Sequence, residues 1–419
     1  MDRIVVIGGG VIGLCAARAL RRRGWRVTVV DAGPARRAAS FGNAGWIVPS
    51  LSGPVPAPGL IGMSLRWMLR PDSPLYVQPR ADPGFLRWLV AFWRHCNARD
   101  YLAGLEATAA LNARTIALFD ALRADGVAFE EHREGLVFAY RSRAELERDY
   151  AGLEPLGRAG YQTPPLLWGD ALRELEPALS EAVVGGYCFA QERHVRPDSL
   201  VAGLEEWLRA NGVEIATGTA VTGIDHRAGR VSGVETTGGR VAAGAVVVCA
   251  GAWTPAVMRL VGVRVPIEAG KGYSLDYAPP PVLPRPLRRS LYLHEARVAV
   301  TPLDGMVRLA GTMELSGLND RIAPGRVAAI ARAGAGYLTG WPADLGRAAL
   351  WTGARPLTPD GLPVIGLAPG FANLAIASGH AMLGVTLGPA TGEVVAELMT
   401  DGCLPEVARP FDPARFGRR

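Results

Sequence analysis

The chain has 419 residues, of which 49% are hydrophobic and 20% are charged, a balance typical of a folded globular protein. Its net charge of +6 is spread over arginines that alternate with acidic residues, so no basic tract supports nucleic-acid binding. No apolar run approaches about 18 residues, and the sequence therefore predicts no membrane-spanning helix.

The cysteines and histidines point to a reduced, metal-free protein. Five cysteines, at positions 15, 96, 188, 249 and 403, are widely spaced and lie mostly in apolar runs. This pattern predicts buried thiols in a reducing compartment. The six histidines are equally dispersed, so their spacing predicts no metal site. The first strand begins at residue 3, which leaves no room for a cleavable signal peptide and favours a cytoplasmic location.

A dinucleotide-binding βαβ unit opens the chain. Its elements are a strand over 4–7, a helix over 11–23 and a strand over 27–30. Gly8 permits the tight turn, Gly10 lets the backbone approach a pyrophosphate, and Gly13 lets the helix pack on the strand. The helix N-terminus favours the diphosphate, and Asp31 is placed to accept hydrogen bonds from a ribose. Asp31 would repel a 2′-phosphate, which disfavours NADP, whereas FAD and NAD both remain open.

The elements that follow alternate between helices and strands. A Gly/Pro-rich stretch (40–58) precedes two segments rich in Trp, Leu and Arg (60–69 and 85–95), and then a predicted long helix (102–125). Further elements are predicted over 135–140, 198–211 and 213–215, followed by a hairpin (230–236 with 240–242) and a buried strand (245–249). A region of alternating strands (266–351) leads to a final strand (374–377), glycine turn (378–380) and helix (385–399).

This order predicts an α/β protein with a Rossmann-like nucleotide-binding domain and an inserted α+β substrate domain built on an antiparallel sheet. The nucleotide-binding domain is predicted to be discontinuous and to comprise 1–80, 185–265 and 352–419. The substrate domain is predicted to comprise 81–184 and 266–351.

Several motifs together resemble one family. They are the N-terminal βαβ unit and the stretches 40–45, 271–275, 308–312, 355–363 and 379–384, which span nearly the whole chain. The chain resembles the FAD-dependent D-amino-acid dehydrogenases of bacteria, within the superfamily of D-amino-acid oxidase, glycine oxidase and sarcosine oxidase. The resemblance implies FAD rather than NAD. It also implies non-covalent FAD, because Gly353 stands where sarcosine oxidases place their linking cysteine.

The resemblance places two segments beside the flavin. The stretch 40–45 would pass close to the ring, and the turn 379–384 would direct the amides of the last helix at the pyrimidine edge. The predicted cofactor-binding residues are Gly8, Gly10, Val11, Ile12, Gly13, Asp31, Ala32, Ser40, Asn43, Ala44, Gly45, Val221, Ala250, Gly251, Gly353, Gly379, His380, Met382, Leu383 and Gly384.

Arg355 is the leading candidate for substrate binding. The resemblance to glycine oxidases implies that it grips the substrate carboxylate, which a guanidinium does with two parallel hydrogen bonds. The alternative is a structural pair with a nearby acid such as Asp360. Met382 replaces a second basic residue that glycine oxidases carry at that place.

Two further residues are candidates for the catalytic site. Tyr273 lies on a stretch that borders the substrate pocket in related enzymes, but its sequence position equally suits a core tyrosine. His380 is a candidate base, although in the family it usually belongs to the flavin-side turn.

The resemblance implies oxidative deamination of D-amino acids, with D-proline and hydroxy-D-proline among the candidate substrates. Hydride passes from the α-carbon to flavin N5, and the imine hydrolyses to a 2-oxo acid or stays cyclic. One alternative is a glycine or sarcosine oxidase that uses oxygen. A second alternative is a flavin-containing protein of tRNA modification or assembly.

The expected partners are a small amino acid and a quinone or other electron acceptor, and an oligomer is compatible with the sequence. The Trp/Arg-rich stretches 65–70 and 85–94 suit a peripheral contact with the inner face of the cell membrane. The same composition is also typical of core or subunit-contact helices, so both interpretations remain open.

Overall fold

A computed structural model describes residues 3–33, 39–60, 62, 64 and 73–417. The strands are β1 Arg3–Ile7, β2 Arg26–Val30, β3 Trp46–Ile47, β4 Leu75–Val77, β5 Glu131–His132, β6 Leu136–Tyr140, β7 Leu167–Trp168, β8 Gly185–Phe189, β9 Arg193–Val195, β10 Glu214–Ala216, β11 Val221–Arg227, β12 Arg230–Thr236, β13 Gly239–Ala242, β14 Ala245–Val248, β15 Glu268–Tyr277, β16 Ser290–Leu293, β17 Val298–Leu303, β18 Met306–Leu315, β19 Ala349–Leu357, β20 Val364–Leu367 and β21 Leu374–Ser378. The α-helices are α1 Val11–Arg22, α2 Pro83–His95, α3 Ala98–Asn112, α4 Thr115–Ala124, α5 Arg143–Ala151, α6 Glu154–Arg158, α7 Gly169–Leu175, α8 Pro197–Ala210, α9 Thr254–Arg259, α10 Pro324–Tyr337 and α11 Gly384–Asp401.

The nucleotide-binding half is built on a six-stranded sheet in the order β10-β2-β1-β14-β21-β20. The first five strands are parallel, and β20 is antiparallel to β21. Their β-branched residues are buried on both faces, as a parallel sheet requires. Helices α1 and α11 pack together on one face, and the antiparallel sheet β11-β12-β13 contributes to the core on the other. The chain passes from the carboxyl end of β1 into α1 through a three-residue turn, which lies at the carboxyl edge of this sheet.

The other half is built on a larger sheet in the order β19-β15-β18-β17-β16-β6-β8-β7, with β4 beside β18. Its pairings are antiparallel except for β16 with β6 and β18 with β4. One face packs on α10 and contains Tyr273, Leu275 and Leu309 in its core. The opposite face carries Arg355 and is turned toward the nucleotide-binding half, as the contacts of the site show below.

These two sheets confirm the predicted fold class. The predicted hairpin, the buried strand β14 and the C-terminal strand and helix are confirmed as well. The domain division remains a prediction. The positions of three strands in the sheets differ from its borders. Strands β4 and β8 pair within the larger sheet although 1–80 and 185–265 were assigned to the nucleotide-binding domain. Strand β19 crosses the predicted border between residues 351 and 352.

The predicted single helix over 102–125 is wrong in its extent. The chain forms α3 and α4 instead, with a break at Ala113 and Arg114. The hydroxyl of Thr115 donates to Oδ1 of Asn112, and Nδ2 of Asn112 donates to the hydroxyl of Ser52. These buried polar contacts satisfy the groups at the break, a tertiary effect that helical periodicity does not reveal.

No helix in the described parts of the chain has the length and apolar character needed to cross a membrane. All five cysteines are free thiols, and Cys15 and Cys249 are buried. Cys96 and Cys188 are partly buried and Cys403 is exposed, so the prediction of buried thiols is wrong for Cys403.

Candidate active site

The turn after β1 can be formed only with small residues. Gly8 has φ +117°, a conformation that side chains disfavour, and a Cβ there would overlap the carbonyl oxygen of Cys249. A Cβ on Gly13 would overlap the carbonyl oxygen of Gly8. The turn is therefore a shallow backbone cradle at the N-terminus of α1, the form of site that accepts a diphosphate.

Polar side chains hold this turn in place. The carboxylate of Asp31 accepts the N–H of Gly9 at 2.6 Å through Oδ2 and the N–H of Gly33 at 2.9 Å through Oδ1. The hydroxyl of Ser40 accepts the N–H of Val11, the first residue of α1, at 3.0 Å. The predicted cofactor residues at both ends of this turn are thus brought together.

Other predicted cofactor residues border the same region. The N–H of Cys249, just before Ala250 and Gly251, donates to the carbonyl of Ile7 at 2.7 Å, which sets this segment beside the β1 turn. Thr219, two residues before Val221, donates its N–H to the Asp31 carbonyl at 2.8 Å. The remaining predicted residues here, Ile12 and Ala32, flank the turn in sequence.

The segment that contains Asn43 to Gly45 is fastened to the larger sheet. Arg308 donates to the Asn43 carbonyl at 2.9 Å, and Thr301 donates to the Ala44 carbonyl at 2.8 Å. Gly45 has φ +74°, and a Cβ there would overlap the carbonyl oxygen of Val195. The predicted flavin-side loop therefore lies between the two halves of the protein.

The turn before α11 is closed by backbone hydrogen bonds. The N–H of Leu383 donates to the His380 carbonyl at 2.8 Å, and the N–H of Ala381 donates to the Pro356 carbonyl at 2.9 Å. Gly379 has φ +78°, and α11 begins at Gly384. Met382 is 61% exposed, so its side chain faces outward from the turn.

His380 faces the protein interior. Its imidazole Nε2 lies 2.9 Å from the hydroxyl oxygen of Thr391 on α11, and the residue is buried. Burial lowers the pKa of this imidazole to about 3, so the ring is neutral at physiological pH. These properties suit a residue that supports the turn better than they suit a proton acceptor for substrate.

Arg355 is a partly buried cation, and none of the described residues is an acidic partner for it. Its Nη1 donates to the carbonyl of Thr312 at 2.9 Å, and a Cβ on Gly272 would overlap the guanidinium. Burial lowers the pKa of the guanidinium to about 10, which still leaves it protonated at neutral pH. No carboxylate in the described residues forms an ion pair with it. A partly buried guanidinium with no ion-pair partner among the described residues favours an anionic ligand.

The alternative pairing of Arg355 with Asp360 is wrong. Asp360 instead accepts from Arg415 at 2.7 Å, within the C-terminal segment that packs against β20. The sequence places Asp360 only five residues from Arg355, but the chain turns between them at Thr358 to Gly361. Proximity in sequence was therefore a poor guide to this ion pair.

Tyr273 and Arg355 lie on opposite faces of the larger sheet. Gly272 is on the same face of the sheet as Arg355, because a Cβ on Gly272 would overlap the guanidinium. Successive side chains of β15 point to opposite faces, so Tyr273 points to the other face. The Tyr273 hydroxyl donates to Oε2 of Glu314 at 2.9 Å and accepts the N–H of Ala323 at 3.2 Å. Burial and the bond to Glu314 raise the pKa of Tyr273 to about 12. The structure thus does not bring Tyr273 to the candidate substrate residue.

Trp351 is a neighbour of the site that the sequence interpretation overlooked. Its indole lies where a Cβ on Gly42 or on Gly353 would overlap it, so it bridges the flavin-side loop and the Arg355 face of β19. Strand β19 also packs against the turn Gly251–Trp253. The signal available in the sequence was a tryptophan two residues before the predicted Gly353.

A group of side chains with metal-ligand chemistry lies between the small sheet β3-β9-β5 and the end of β17. Glu130, His132 and Asp304 lie close enough to share an ion, although the dispersed sequence positions predicted no metal site. His132 Nε2 is 2.9 Å from Oε1 of Glu130, while Arg196 donates to Oε2 at 2.9 Å. The guanidinium on the same carboxylate opposes binding of a divalent cation.

Comparison with known proteins agrees with this geometry. Residues 3–398 match the family described as FAD dependent oxidoreductase. The chain belongs to this family. It is 36% identical over 411 residues to a D-amino acid dehydrogenase of Cereibacter sphaeroides, which covers 97% of this chain and 93% of that protein. It is 33% identical over 407 residues to a D-amino acid dehydrogenase of Xanthobacter autotrophicus, with 95% of each chain covered.

Among solved structures, the FAD-dependent oxidoreductase resembles glycine oxidase from Geobacillus kaustophilus, with a TM-score of 0.76 and 23% identity over 99% of each chain. At that identity the likeness supports the fold alone. Family membership makes FAD the cofactor, and the small-residue cradle at the start of α1 fits its diphosphate. The predicted family, fold class and FAD cofactor are confirmed, and NAD is set aside.

Proposed function

We propose that this FAD-dependent oxidoreductase deaminates D-amino acids oxidatively and holds the substrate carboxylate on Arg355. The observation that carries this proposal is the partly buried Arg355 guanidinium, which donates to the Thr312 carbonyl and has no acidic partner in the described residues. A buried charge is costly unless a counter-charge satisfies it, and a carboxylate does so through two parallel hydrogen bonds. The dehydrogenase relatives at 36% and 33% identity support D-amino acids as the substrate class.

The proposed role of Arg355 is orientation. FAD, when bound, supplies the acceptor for the hydride that leaves the α-carbon. Two-point contact with the carboxylate fixes both the position and the rotation of the amino acid. Since His380 is buried and neutral, we assign no protein base, and the amine reacts in its neutral form. The resulting imine hydrolyses in water to a 2-oxo acid and ammonia, or remains cyclic when the substrate is D-proline.

We assign the cofactor to the two glycine turns. The β1 turn with Gly8 and Gly13 would hold the diphosphate against the amides of α1, and Asp31 would accept from the ribose. The N-terminal amides of α11 would stabilise negative charge on the reduced ring. Binding is proposed to be non-covalent, since Gly353 offers no thiol.

Anaerobic mixing with single amino acids tests this function. The purified protein is expected to be yellow, and D-alanine or D-proline should bleach its flavin absorbance faster than the L-enantiomers, glycine or sarcosine.

Heat or acid should release all the FAD from the denatured chain. Reduced enzyme mixed with air should reoxidise slowly, whereas a quinone or dye should reoxidise it quickly.

The other outcomes identify the alternatives. Preferred bleaching by glycine or sarcosine with rapid reoxidation by oxygen would indicate an amine oxidase. No bleaching by any amino acid would contradict the proposal and revive a role in tRNA modification or assembly. Flavin retained by the denatured chain would contradict non-covalent binding.

We further propose that α2 rests on an anionic membrane surface, where a quinone acceptor is available. Leu86, Val90 and Trp93 are 51%, 46% and 62% exposed and follow helical spacing on one side of α2. Arg87 and Arg94 are exposed beside them, a combination that suits anionic lipid headgroups. The other predicted contact segment, 65–70, lies outside the described residues.

Sedimentation with vesicles tests this contact. The protein should sediment with vesicles rich in phosphatidylglycerol and should sediment less with phosphatidylcholine alone. Replacing both Leu86 and Trp93 with serine should weaken the partition by at least about tenfold, because each apolar side chain contributes roughly 1.5–3 kcal/mol when fully buried. Val282→Ser is the matched control, since Val282 is 96% exposed elsewhere. Equal sedimentation of all three proteins would contradict the proposal.

A further inference from the structure

Strand β18 contains a β-bulge directly opposite Gly272. Tyr273 pairs with Gly311 while Lys271 pairs with Glu314, so two residues of β18, Thr312 and Met313, face one residue of β15. Strand β15 keeps a regular register with β19 on its other side, which assigns the extra residue to β18. The irregularity therefore lies beside the strand position next to the Arg355 guanidinium.

The bulge supplies the hydrogen bond that Arg355 makes. Thr312 has φ +69°, a left-handed conformation that a β-branched residue rarely adopts. Its carbonyl accepts from Nη1 of Arg355 at 2.9 Å. A strained residue persists only when its surroundings determine it strongly. The contacts that fix Thr312 thus also fix the orientation of the guanidinium.

One carboxylate connects the strands across this bulge. Glu314 lies two residues after Thr312, and its Oε1 is 3.0 Å from Nζ of Lys271. Its Oε2 accepts the Tyr273 hydroxyl at 2.9 Å. Lys271 and Tyr273 are the two residues that flank Gly272. Glu314, at the end of the bulge, therefore contacts both residues that flank Gly272 on β15.

The ion pair is buried and fully hydrogen bonded. The side chains of Lys271 and Glu314 are 2% and 8% exposed. Nζ of Lys271 also donates to Oδ1 of Asn319 at 2.8 Å and to the Arg321 carbonyl at 2.6 Å, which uses all three of its protons. Such satisfied networks specify one local geometry more than they add stability.

We propose that Lys271 and Glu314 are positioning residues for the reaction. They hold the β18 bulge in one conformation, and the Thr312 carbonyl of the bulge orients Arg355 toward the substrate carboxylate. This inference rests on the proposed carboxylate-binding role of Arg355. Loss of the Lys271–Glu314 ion pair leaves the charge of Arg355 in place but allows its guanidinium to rotate. Two-point recognition of a carboxylate tolerates little rotation, so binding and orientation both suffer.

The test removes both charges of the Lys271–Glu314 pair together. Arg326, whose Nη1 lies 3.6 Å from Oε2 of Glu314 and whose guanidinium packs on the Tyr76 ring, keeps its charge. The double variant Lys271→Met/Glu314→Leu keeps similar volumes, and Tyr273→Phe removes only the hydroxyl bond to Glu314. Tyr277→Phe is the matched control, because Tyr277 lies on the same face of β15 but away from the bulge and donates to the Asp344 carbonyl at 3.4 Å. Each FAD-loaded protein is titrated with benzoate, and flavin absorbance gives the dissociation constant.

The double variant is expected to keep its FAD and to bind benzoate roughly tenfold to a hundredfold more weakly, with a lower rate of flavin reduction at saturating substrate. Tyr273→Phe should show a smaller change in the same direction, and Tyr277→Phe should bind benzoate like the unmodified protein. In an Arg355→Ala background the double variant should cause no further loss of benzoate binding, because the two changes act through one contact.

Unchanged benzoate affinity in a flavin-replete double variant would overturn this inference. If that variant fails to fold, unchanged affinity in Tyr273→Phe overturns it instead. Additive losses with Arg355→Ala would also overturn it, since they indicate a separate structural effect. If Arg355→Ala itself leaves benzoate binding unchanged, the proposed substrate role of Arg355 fails, and the inference fails with it.

Discussion

Arg355→Ala is expected to lower kcat/KM for D-amino acids by about thirtyfold to several thousandfold without loss of FAD. The variant removes a partly desolvated ionic contact with the substrate carboxylate, which contributes roughly 2–5 kcal/mol. Each difference of about 1.4 kcal/mol corresponds to a tenfold change in kcat/KM. Flavin reduction at saturating substrate should also slow, because orientation is lost together with affinity. Single-turnover reduction on preparations of measured flavin content checks both effects.

Arg355→Lys should recover only part of the activity, because an ammonium group does not provide two parallel donors. Arg415→Ala is the matched control. Arg415 pairs with Asp360 in the neighbouring segment, so its loss should lower the melting temperature and leave the reduction rate near normal. If the flavin-replete Arg355→Ala variant is reduced at a near-normal rate, the carboxylate contact is wrong.

Gly13→Ala is expected to yield a nearly colourless protein. The added methyl group would overlap the carbonyl oxygen of Gly8, so α1 must move away from the β1 turn that we assign to the diphosphate. Overpacking of this kind costs about 1–3 kcal/mol or more, which corresponds to roughly fivefold to over a hundredfold weaker FAD binding. The ratio of flavin to protein absorbance and titration of the apoprotein with FAD measure the effect.

Gly33→Ala provides the control for that experiment. Gly33 lies beyond Asp31 in the same βαβ unit, and a Cβ there meets no atom within 4 Å. This variant should bind FAD normally. Normal flavin content in Gly13→Ala would show that the turn tolerates a side chain and would remove this part of the cofactor assignment.

Local patterns in the sequence predicted the nucleotide-binding half well. Strand β1, the glycine turn and helix α1 follow from apolar periodicity and from a spacing that only this turn satisfies. Strand β21 and helix α11 were found for the same reason. These elements are determined by residues close together in the chain, so their physical causes can be read without tertiary information.

Features that depend on contacts between strands far apart in the sequence could not be predicted from local patterns. The sequence does not show that Tyr273 and Arg355 face opposite ways, because that requires the register of β15 with β19. It does not show the bulge at Thr312, since a β-branched residue at positive φ contradicts its local preference. The partner of Asp360 lies 55 residues away, and the partner of His380 lies on the next helix.

Lys271 has a practical consequence for handling this protein. It is the one lysine in the chain, and its ε-amine is enclosed by Glu314, Asn319 and Arg321. Reagents that acylate amines therefore meet no accessible lysine side chain in the folded protein. Immobilisation or dye labelling through a lysine would therefore first require the folded structure around Lys271 to open.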